Sequence, residues 1–400
     1  MKQGWEYKKL EDVASFQRGL TYSSEDEVDF STKCVLRSNN INLENSCLDL
    51  SELKYLREDF IIPNDRMFCD NSIFICMSNG SKQHIGKVAY IKEKINYAFG
   101  GFMGLIVPNQ NIQSKFVFYN LRSPHFKIFL NSIGEGANIK NLRFSDLSKY
   151  KIPVPPLPTQ QAIVSELDTL SGIIAECKET LKDYDSLEQS IFYDMFGDPV
   201  KNEKGWEVRE MGSICEVTSF KRVLIEDVVD EGIPFVRGTE LTEMCGLTRG
   251  EQMKFSLYIT QEHYDRVKKI TGVPSIGDLL IPSINSKGYV WIVNTTAPMY
   301  YKDGRVLWIH LNSDCFRSEY LQKTISTILL DSYSLMASGA TFAELKLFIL
   351  RELNVPVPPI ELQQQFADKI NAIEQMKEET KKALQEAETL FQARMDYWFG

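Results

Sequence analysis

The chain has 400 residues, of which 43% are hydrophobic and 25% are charged, with a formal net charge of −9 at pH 7. This length allows about two or three domains, and the composition is ordinary for globular domains with buried cores. No stretch approaches about 18 apolar residues, and the N-terminus has no apolar signal-peptide core, so we expect neither a membrane span nor secretion.

The cysteine and histidine content indicates no metal or disulfide framework. The eight cysteines form no C-x-x-C pair, and the four histidines are scattered along the chain. We therefore expect no zinc site, and a reducing, cytoplasmic location fits this cysteine usage.

The negative charge is unevenly distributed. Residues 151–200 hold three basic and nine acidic residues, and residues 351–400 hold six and nine. In contrast, residues 51–150 hold thirteen basic and eight acidic residues. Because net charge governs solubility and steering rather than fold, the acidic total does not exclude a basic face that binds nucleic acid.

Residues 1–153 have the pattern of a mixed α/β domain. Short runs of Ile, Val, Phe and Tyr are bounded by Asn, Gly, Ser and Pro, which predicts strands and turns. Residues 114–132 predict a helix.

Residues 154–199 predict one long helix with a sharp start. The prolines of VPPLPTQQ suit an extended approach to a helix but not its interior. From Gln160 to Phe196 there are 37 residues, a helix of about 55 Å. A narrow apolar seam of this length needs a partner helix. The seam comprises Ile163, Leu167, Leu170, Ile174, Cys177, Leu181 and Tyr184.

Residues 200–356 and 357–400 repeat this layout. Val357–Gly400 matches Val154–Gly197 at a constant offset of 203 residues, although Lys377 and Thr380 interrupt its seam. A helix is also expected near residues 317–336. One period of about half the chain indicates a tandem duplication. We expect an α+β fold, with two tandem mixed α/β domains separated and followed by long helices that pair with each other; two independently packed helices are the plainer alternative.

The two copies share their turns and strand-like runs but differ in the segments between them. GWEYKK and GWEVRE open the two copies, and VLRSNNINL aligns with FVRGTELTE. Divergent loops on a duplicated scaffold are typical of a protein that recognises two different targets. A pseudo-twofold arrangement suits a pseudo-symmetric ligand such as duplex DNA.

These features together resemble the specificity (S) subunit of type I restriction–modification systems. The resemblance lies in VPPLPTQQ and VPPIELQQ, each opening a long helix that ends in Phe-Gly, in the repeated Gly-Trp-Glu start, and in the LRSNNI and VRGTEL strings. It covers essentially the whole chain. The order and duplication of these motifs are specific, whereas no single motif is decisive.

The resemblance implies that residues 1–153 and 200–356 are target recognition domains, each reading one half of a bipartite, asymmetric double-stranded DNA site. Residues 154–199 and 357–400 would be spacer helices that pair as an antiparallel coiled coil and set the gap. The helices would also bind two methyltransferase (M) subunits, which bring S-adenosylmethionine and methylate a flipped-out adenine at N6. Restriction (R) subunits, with ATP and Mg²⁺, would complete the nuclease.

The resemblance also implies that the chain itself binds no cofactor and catalyses nothing. The sequence contains no N-P-P-F/Y methyltransferase motif and no Walker A motif. Asp331 with Glu344-Leu345-Lys346 resembles a D…E-x-K nuclease triplet, but the first copy has Asn141-Leu142-Arg143 there and lacks the acid.

Three loop regions are candidates for contact with DNA. Base reading needs Arg, Lys, Asn, Gln, Ser or Thr on loops, and phosphate contact needs cations or exposed backbone amides. Each candidate has a structural alternative: a solvated hairpin tip, an internally bonded arginine, or a cap at the start of the spacer helix. The candidate residues are Arg37, Asn39, Asn40, Ser78, Asn79, Ser81, Lys82, Gln83, Asn138, Lys140, Arg237, Thr239, Ser283, Asn285, Ser286 and Lys287.

Other functions remain open at the level of sequence. The chain could be the specificity module of a non-cleaving DNA methylation or phage-exclusion system, or a coiled-coil scaffold that binds only proteins. A nuclease rests on the Asp331 triplet alone. Phe196 and Phe399 at the ends of the two helices are either core residues, which we favour, or anchors for an M subunit.

Overall fold

The computed structural model describes residues 5–133, 141–224, 227–246, 253–336 and 344–400. The chain forms two compact units. Unit 1 comprises Met1–Glu176 and Leu384–Gly400, and unit 2 comprises Cys177–Ala383. Each unit therefore contains one α/β domain and a part of each long helix.

Unit 1 combines short strands with short helices. Its strands are β1 (Glu6–Lys9), β2 (Ala14–Arg18), β3 (Glu27–Val28), β4 (Lys33–Leu36), β5 (Lys54–Leu56), β6 (Ser72–Cys76), β7 (Val88–Ile91), β8 (Ala98–Phe99), β9 (Met103–Pro108) and β10 (Lys151–Val154). Its helices are α1 (Leu10–Val13), α2 (Ser114–Asn120), α3 (Pro124–Ile133), α4 (Phe144–Leu147) and the first part of α5 (Leu157–Phe196).

Unit 2 has the same kinds of element. Its strands are β11 (Val208–Glu210), β12 (Glu216–Ser219), β13 (Val228–Val229), β14 (Ile233–Val236), β15 (Tyr258–Ile259), β16 (Leu279–Pro282), β17 (Trp291–Ile292), β18 (Tyr300–Tyr301), β19 (Val306–His310) and β20 (Asn354–Pro356). Its helices are α6 (Met211–Ile214), α7 (Gly238–Met244), α8 (Gln261–Thr271), α9 (Ser318–Met336), α10 (Leu347–Arg351) and the first part of α11 (Ile360–Phe399).

The two units share one sheet topology. Unit 1 has four-stranded sheets of order β2-β9-β6-β7 and β3-β5-β4-β8, and unit 2 has β12-β19-β16-β17 and β13-β15-β14-β18. Within the second sheet of each unit, β4 pairs with β8 and β14 pairs with β18 in parallel. The predicted duplication and the mixed α/β character of the domains are thus confirmed.

In each unit, a two-stranded antiparallel ribbon joins the first strand of the domain to the strand that precedes the long helix. β1 pairs antiparallel with β10, with Glu6 opposite Val154, and β11 pairs with β20, with Val208 opposite Pro356. The prolines that follow each ribbon then lead into α5 and α11. Because both strands of the ribbon are fixed by hydrogen bonds, the direction in which each helix leaves its domain is set locally.

The long helices are 40 residues each, about 60 Å, and begin three residues before the predicted Gln160 and its repeat counterpart. In unit 1, Ile163 and Leu167 of α5 share a core with Met395 and Phe399 of α11. In unit 2, the end of α5 shares a core with the beginning of α11. The start of each helix thus meets the end of the other, which confirms the antiparallel pairing.

The shorter predicted helices are also present. The helix predicted over residues 114–132 is interrupted between α2 and α3, and Pro124 begins α3. Proline lacks the backbone N–H that a continuing helix would use but fits a first helical position. The second helix is continuous as α9. None of the helices in the part of the chain described above is long and apolar enough to cross a membrane.

Candidate nucleic-acid interface

Two of the predicted DNA-contacting loops of unit 1 meet at one surface. The first follows β4 and contains a 3₁₀ turn at Ser38–Asn40, and the second follows β6. The Asn79 side-chain amide donates a hydrogen bond to the Ser38 hydroxyl at 2.8 Å, which joins the loops. Both loops line a cavity of about 720 Å³, to which Arg37, Asn39, Ser78 and Asn79 all contribute.

The second loop continues into a polar, exposed tip. Ser81, Lys82 and Gln83 are all exposed, and Lys82 opens a short 3₁₀ turn before β7. Such a tip can present side chains to a ligand without first losing internal hydrogen bonds. These three residues therefore stay candidates for contact with DNA.

Asn40 has a structural role instead. Its side chain is only 1% exposed, and its amide donates to the carbonyl oxygens of Asp49 at 2.8 Å and Glu52 at 2.7 Å. Its amide oxygen accepts from the Arg37 backbone N–H at 2.8 Å. With these groups occupied, Asn40 shapes the loop and we leave it out of the candidate surface.

Beside Lys82 and Gln83 lies a second, basic cavity of about 900 Å³. Lys87, Arg122 and Lys127 also line it, whereas Glu44 is the one acidic residue among the described residues that line it. Burial lowers the pKa of Lys87 and of Arg122, because each cation is partly removed from water. The positive charge on this side of the loop favours phosphate groups.

Phe102 is an exposed aromatic residue that the sequence reasoning did not single out. Its side chain is 73% exposed and lines the 720 Å³ cavity. Its carbonyl oxygen accepts hydrogen bonds from the backbone N–H groups of Met77 at 2.9 Å and Ser78 at 3.1 Å, which fixes it beside the second loop. In the sequence, Phe102 could have been recognised as an aromatic residue that follows Gly100-Gly101 at the start of a strand.

The corresponding first loop of unit 2 is organised around an internal ion pair. The Arg237 guanidinium contacts the Glu240 carboxylate, and the Thr239 hydroxyl donates to the same carboxylate at 2.8 Å. Burial alone would raise the pKa of Glu240, but these hydrogen bonds outweigh it and lower the pKa to about 2. Arg237 is thereby held by its own loop, while Thr239 is exposed beside it.

The second loop of unit 2 divides into buried and exposed residues. Ser283 is fully buried and Asn285 is 3% exposed. Asn285 closes the turn, since its amide donates to the Tyr289 carbonyl oxygen at 2.7 Å and accepts from the Tyr289 N–H at 2.6 Å. Only Ser286 and Lys287 are exposed among the predicted residues of this loop. Ser283 and Asn285 are therefore structural, and we leave them out of the candidate surface.

A glycine allows this second turn to pack closely. Gly288 has a φ of +65°, in the left-handed region, and a Cβ there would lie 2.7 Å from the Ser326 carbonyl oxygen. Any other residue would both strain the backbone and clash with α9. The position of Lys287 on the turn thus depends on its neighbour being glycine.

The third candidate region falls largely outside the described residues. Asn138 and Lys140 lie there, as does Thr341 of the second copy. The residues that follow are bonded to the second loop in each unit. The Leu142 N–H donates to the Met77 carbonyl oxygen, and the Leu345 N–H donates to that of Ser283, both at 2.7 Å.

The remaining candidates have local structural roles. Glu344 of the nuclease-like triplet forms an ion pair with Arg305 at 3.0 Å. Over the described ranges, no group of three His, Cys, Asp or Glu side chains could hold a metal ion. Phe196 and Phe399 are 3% and 4% exposed and pack in the two domain cores, as favoured from the sequence.

Comparison with known proteins identifies a family. The model of the type I restriction modification DNA specificity domain matches residues 2–183 and again 203–389. The EcoKI specificity subunit of Escherichia coli K12 is 26% identical over 232 residues, which are 56% of this chain and 49% of that protein. The putative MjaX specificity subunit of Methanocaldococcus jannaschii is 25% identical, over 96% of this chain and 90% of that protein. The chain thus spans about half the length of the E. coli relative.

Solved structures show the same fold. The S subunit of a type I restriction–modification system from M. genitalium aligns with a TM-score of 0.59 and 15% identity, over 98% of this chain and 95% of that one. A chain from a study of assembly and conformational transition of the type I R-M system aligns with a TM-score of 0.58 and 17% identity, over 100% of this chain and 98% of that one. At this identity the likeness is one of fold.

Proposed function

The chain belongs to the type I restriction–modification DNA specificity family, and we propose that each of its two domains reads one half of a bipartite, asymmetric DNA site. One observation carries this proposal: two domains of identical sheet topology present different polar loops after equivalent strands. A shared scaffold with different reading loops suits two half-sites of different sequence.

We divide the exposed loop residues by their chemistry. Lys82 and Lys287 are long cations at loop tips and suit phosphate oxygens, as do the amines of the basic cavity. Base edges in the major groove are matched by amide and hydroxyl groups, which these loops also expose. The candidate base-reading residues are Asn39, Gln83, Thr239 and Ser286.

We propose that α5 and α11 set the gap between the half-sites and bind two M subunits. Exposed apolar side chains along both helices support a protein-binding role, since α5 and α11 already bury their seams against each other. The M subunits would supply S-adenosylmethionine, and R subunits would supply the ATP- and Mg²⁺-dependent nuclease. The chain would act by positioning and not by catalysis. The exposed apolar residues include Ile173, Leu187, Tyr193, Met376 and Leu390.

Substitution of two reading residues in one unit at a time tests the proposal. Asn39→Ala with Gln83→Ala should relax the base preference in the half-site read by unit 1 and leave the other half-site unchanged. Thr239→Ala with Ser286→Ala should do the reverse. Selection of bound DNA from a randomised pool, with the chain and its methyltransferase partner present, reads both preferences at once. If either pair altered both half-sites or neither, the assignment of one unit to one half-site would be wrong.

A further inference from the structure

A charged cluster lies within the interface of each stretch of paired helix. In unit 1, Glu166 of α5 accepts hydrogen bonds from the Arg394 guanidinium at 3.0 Å and from the Trp398 indole N–H at 2.9 Å. The Glu166 and Arg394 side chains are both about one-third exposed. The pair thus lies at the edge of the buried seam, where a missing partner would leave a partly desolvated charge.

The cluster of unit 2 lies within the seam itself. Lys377 of α11 is 8% exposed and occupies a position that is apolar in the first copy. Its ammonium group lies 2.8 Å from Asp185 and 2.7 Å from Glu188 of α5, and 3.2 Å from Glu374. Burial alone would lower the pKa of Lys377, but these carboxylates outweigh it and raise the pKa, so the lysine stays charged.

Of the charged residues in the two clusters, only Asp185 has a residue of the same charge in the other half of the duplication, where Glu388 corresponds to it. At the offset of 203 residues, Glu166 corresponds to Lys369 and Arg394 corresponds to Ile191. Lys377 corresponds to Ile174, and Glu188 corresponds to Phe391. The apolar seam is common to both helices apart from Lys377 and Thr380, and the charges inside it differ except at Asp185 and Glu388. The charges can therefore distinguish α5 from α11 where the apolar residues cannot.

This asymmetry matters because the two helices are homologous. Two copies of the chain could pair α5 with α5 and α11 with α11, with the same antiparallel seam. In an α5 pair, Glu166 would face Ile191 and Glu188 would face Ile174, so that both carboxylates would lose their cations. In an α11 pair, Lys377 would keep an acidic partner in Glu388 of the second copy, but Arg394 would face Lys369, which places like charges together.

We propose that the Glu166–Arg394 and Lys377–Glu188 pairs select pairing of α5 with α11 and reject pairing of like helices between two copies of this chain. Charged residues at a few interface positions set partner and orientation in coiled coils in the same way. This selection keeps the two different domains of one chain on a single pair of long helices. It does not rest on the proposed DNA-binding function, since it concerns only which helices associate.

Reversal of one charge tests the selection in the full-length chain. Arg394→Glu places two carboxylates together in the native pair, and it creates attraction to Lys369 in an α11 pair. We expect the dimer-to-monomer ratio in sedimentation velocity to rise by about tenfold or more. Adding Glu166→Arg should restore the native pair and return the chain to its 45.9 kDa monomer. A folded Arg394→Glu chain that stays monomeric would overturn the proposal, as would a wild-type chain that dimerises through like helices.

A second variant keeps the proposal testable if Arg394→Glu fails to fold. Ile191→Arg leaves both native clusters intact. In the native pair it places a cation opposite Lys369, and in an α5 pair it places that cation opposite Glu166. We expect this variant also to dimerise. Ile173→Arg is the matched control, since Ile173 is 40% exposed and lies outside the seam, and it should stay monomeric. Equal monomer content in the two arginine variants would contradict charge selection.

Discussion

Gln160 and Gln363, 203 residues apart in the chain, make equivalent hydrogen bonds in the two units. The Gln160 amide donates to the Pro155 carbonyl oxygen at 2.8 Å, and its oxygen accepts from the Gln113 N–H at 2.9 Å. The Gln363 amide donates to the Pro358 carbonyl oxygen at 2.9 Å, and its oxygen accepts from the Arg317 N–H at 2.9 Å. Each buried glutamine thus joins the start of a spacer helix to a loop of its domain.

We predict that Gln160→Ala destabilises unit 1 and that Gln363→Ala destabilises unit 2. Each change removes hydrogen bonds and leaves buried backbone groups unpaired, which costs about 1–3 kcal/mol in the free energy of unfolding. Urea unfolding followed by circular dichroism measures this loss. Gln161→Ala is the control, because Gln161 is exposed and should change the unfolding midpoint very little. Equal losses of stability in Gln160→Ala and Gln161→Ala would refute this role of the Gln160 hydrogen bonds.

We predict that Lys82→Ala and Lys287→Ala weaken binding to DNA of any sequence. The slope of log K against log salt concentration is negative. If each lysine contacts one phosphate, each change should reduce the magnitude of this slope by about 0.9. Binding titrations from about 50 to 200 mM salt give this slope. Lys92→Ala is the matched control, since Lys92 is exposed just after β7, at the other end of the same hairpin from Lys82. If Lys82→Ala and Lys92→Ala changed the slope equally, the result would count against DNA contact by the loop that contains Lys82.

We predict that Phe102→Ala lowers affinity for the DNA half-site of unit 1 by about tenfold or more. An exposed aromatic side chain beside the reading loops can contact base or sugar faces, and its truncation removes that apolar contact. The measurement is the dissociation constant for the full site at fixed salt. Phe30→Ala serves as control, because Phe30 is 79% exposed but does not line the same cavity. An unchanged dissociation constant for Phe102→Ala would remove this residue from the interface.

We predict that the Arg237–Glu240 ion pair makes unit 2 sensitive to acid. The folded-state pKa of Glu240 is about 2, below its usual 4.5. A depressed carboxyl pKa contributes stability that is complete above about pH 4.5 and is lost as the pH falls towards 2. Over that window the free energy of unfolding should fall less steeply in Glu240→Gln than in the wild-type chain. Parallel pH profiles for the two proteins would contradict the role of this pair.

We predict that matched insertions in both spacer helices lengthen the tolerated gap in the DNA site. Four residues inserted after Glu176 and four after Ala383 add about 6 Å to each helix, or about two base pairs. Four residues also approximate one helical turn, so the seam is kept. The gap length in bound DNA measures the effect. An insertion in α5 alone should instead misalign Asp185 and Lys377 and destabilise unit 2, and an unaltered gap after the matched insertions would refute the spacer role.

The duplication and the long helices could be predicted because local patterns in the sequence indicate them. A constant offset of 203 residues and a three-and-four apolar spacing require no knowledge of tertiary contacts. Lys377 was recognised only as an interruption of the seam. Its partners Asp185 and Glu188 lie on the other helix, almost 200 residues away in the chain, and no local pattern indicates such a pairing.

The candidate site was predicted only in part, for a related reason. Polar residues on a loop have the same sequence signal whether they face solvent or bond to their own backbone. Lys82 and Gln83 are exposed at a loop tip, whereas Asn40 and Asn285 close turns with their side-chain amides. The difference depends on how the loop folds over its sheet. Phe102 was missed because an exposed aromatic side chain resembles a core residue in sequence.

The map of methylated adenines in DNA tests the central claim most directly. DNA from cells that express this chain with its methyltransferase partner should carry a bipartite motif with two different half-sites and a fixed gap. DNA from cells that lack only this chain should not carry the motif. Methylation that is identical in the two cell lines would contradict the claim that this chain determines the DNA sequence recognised.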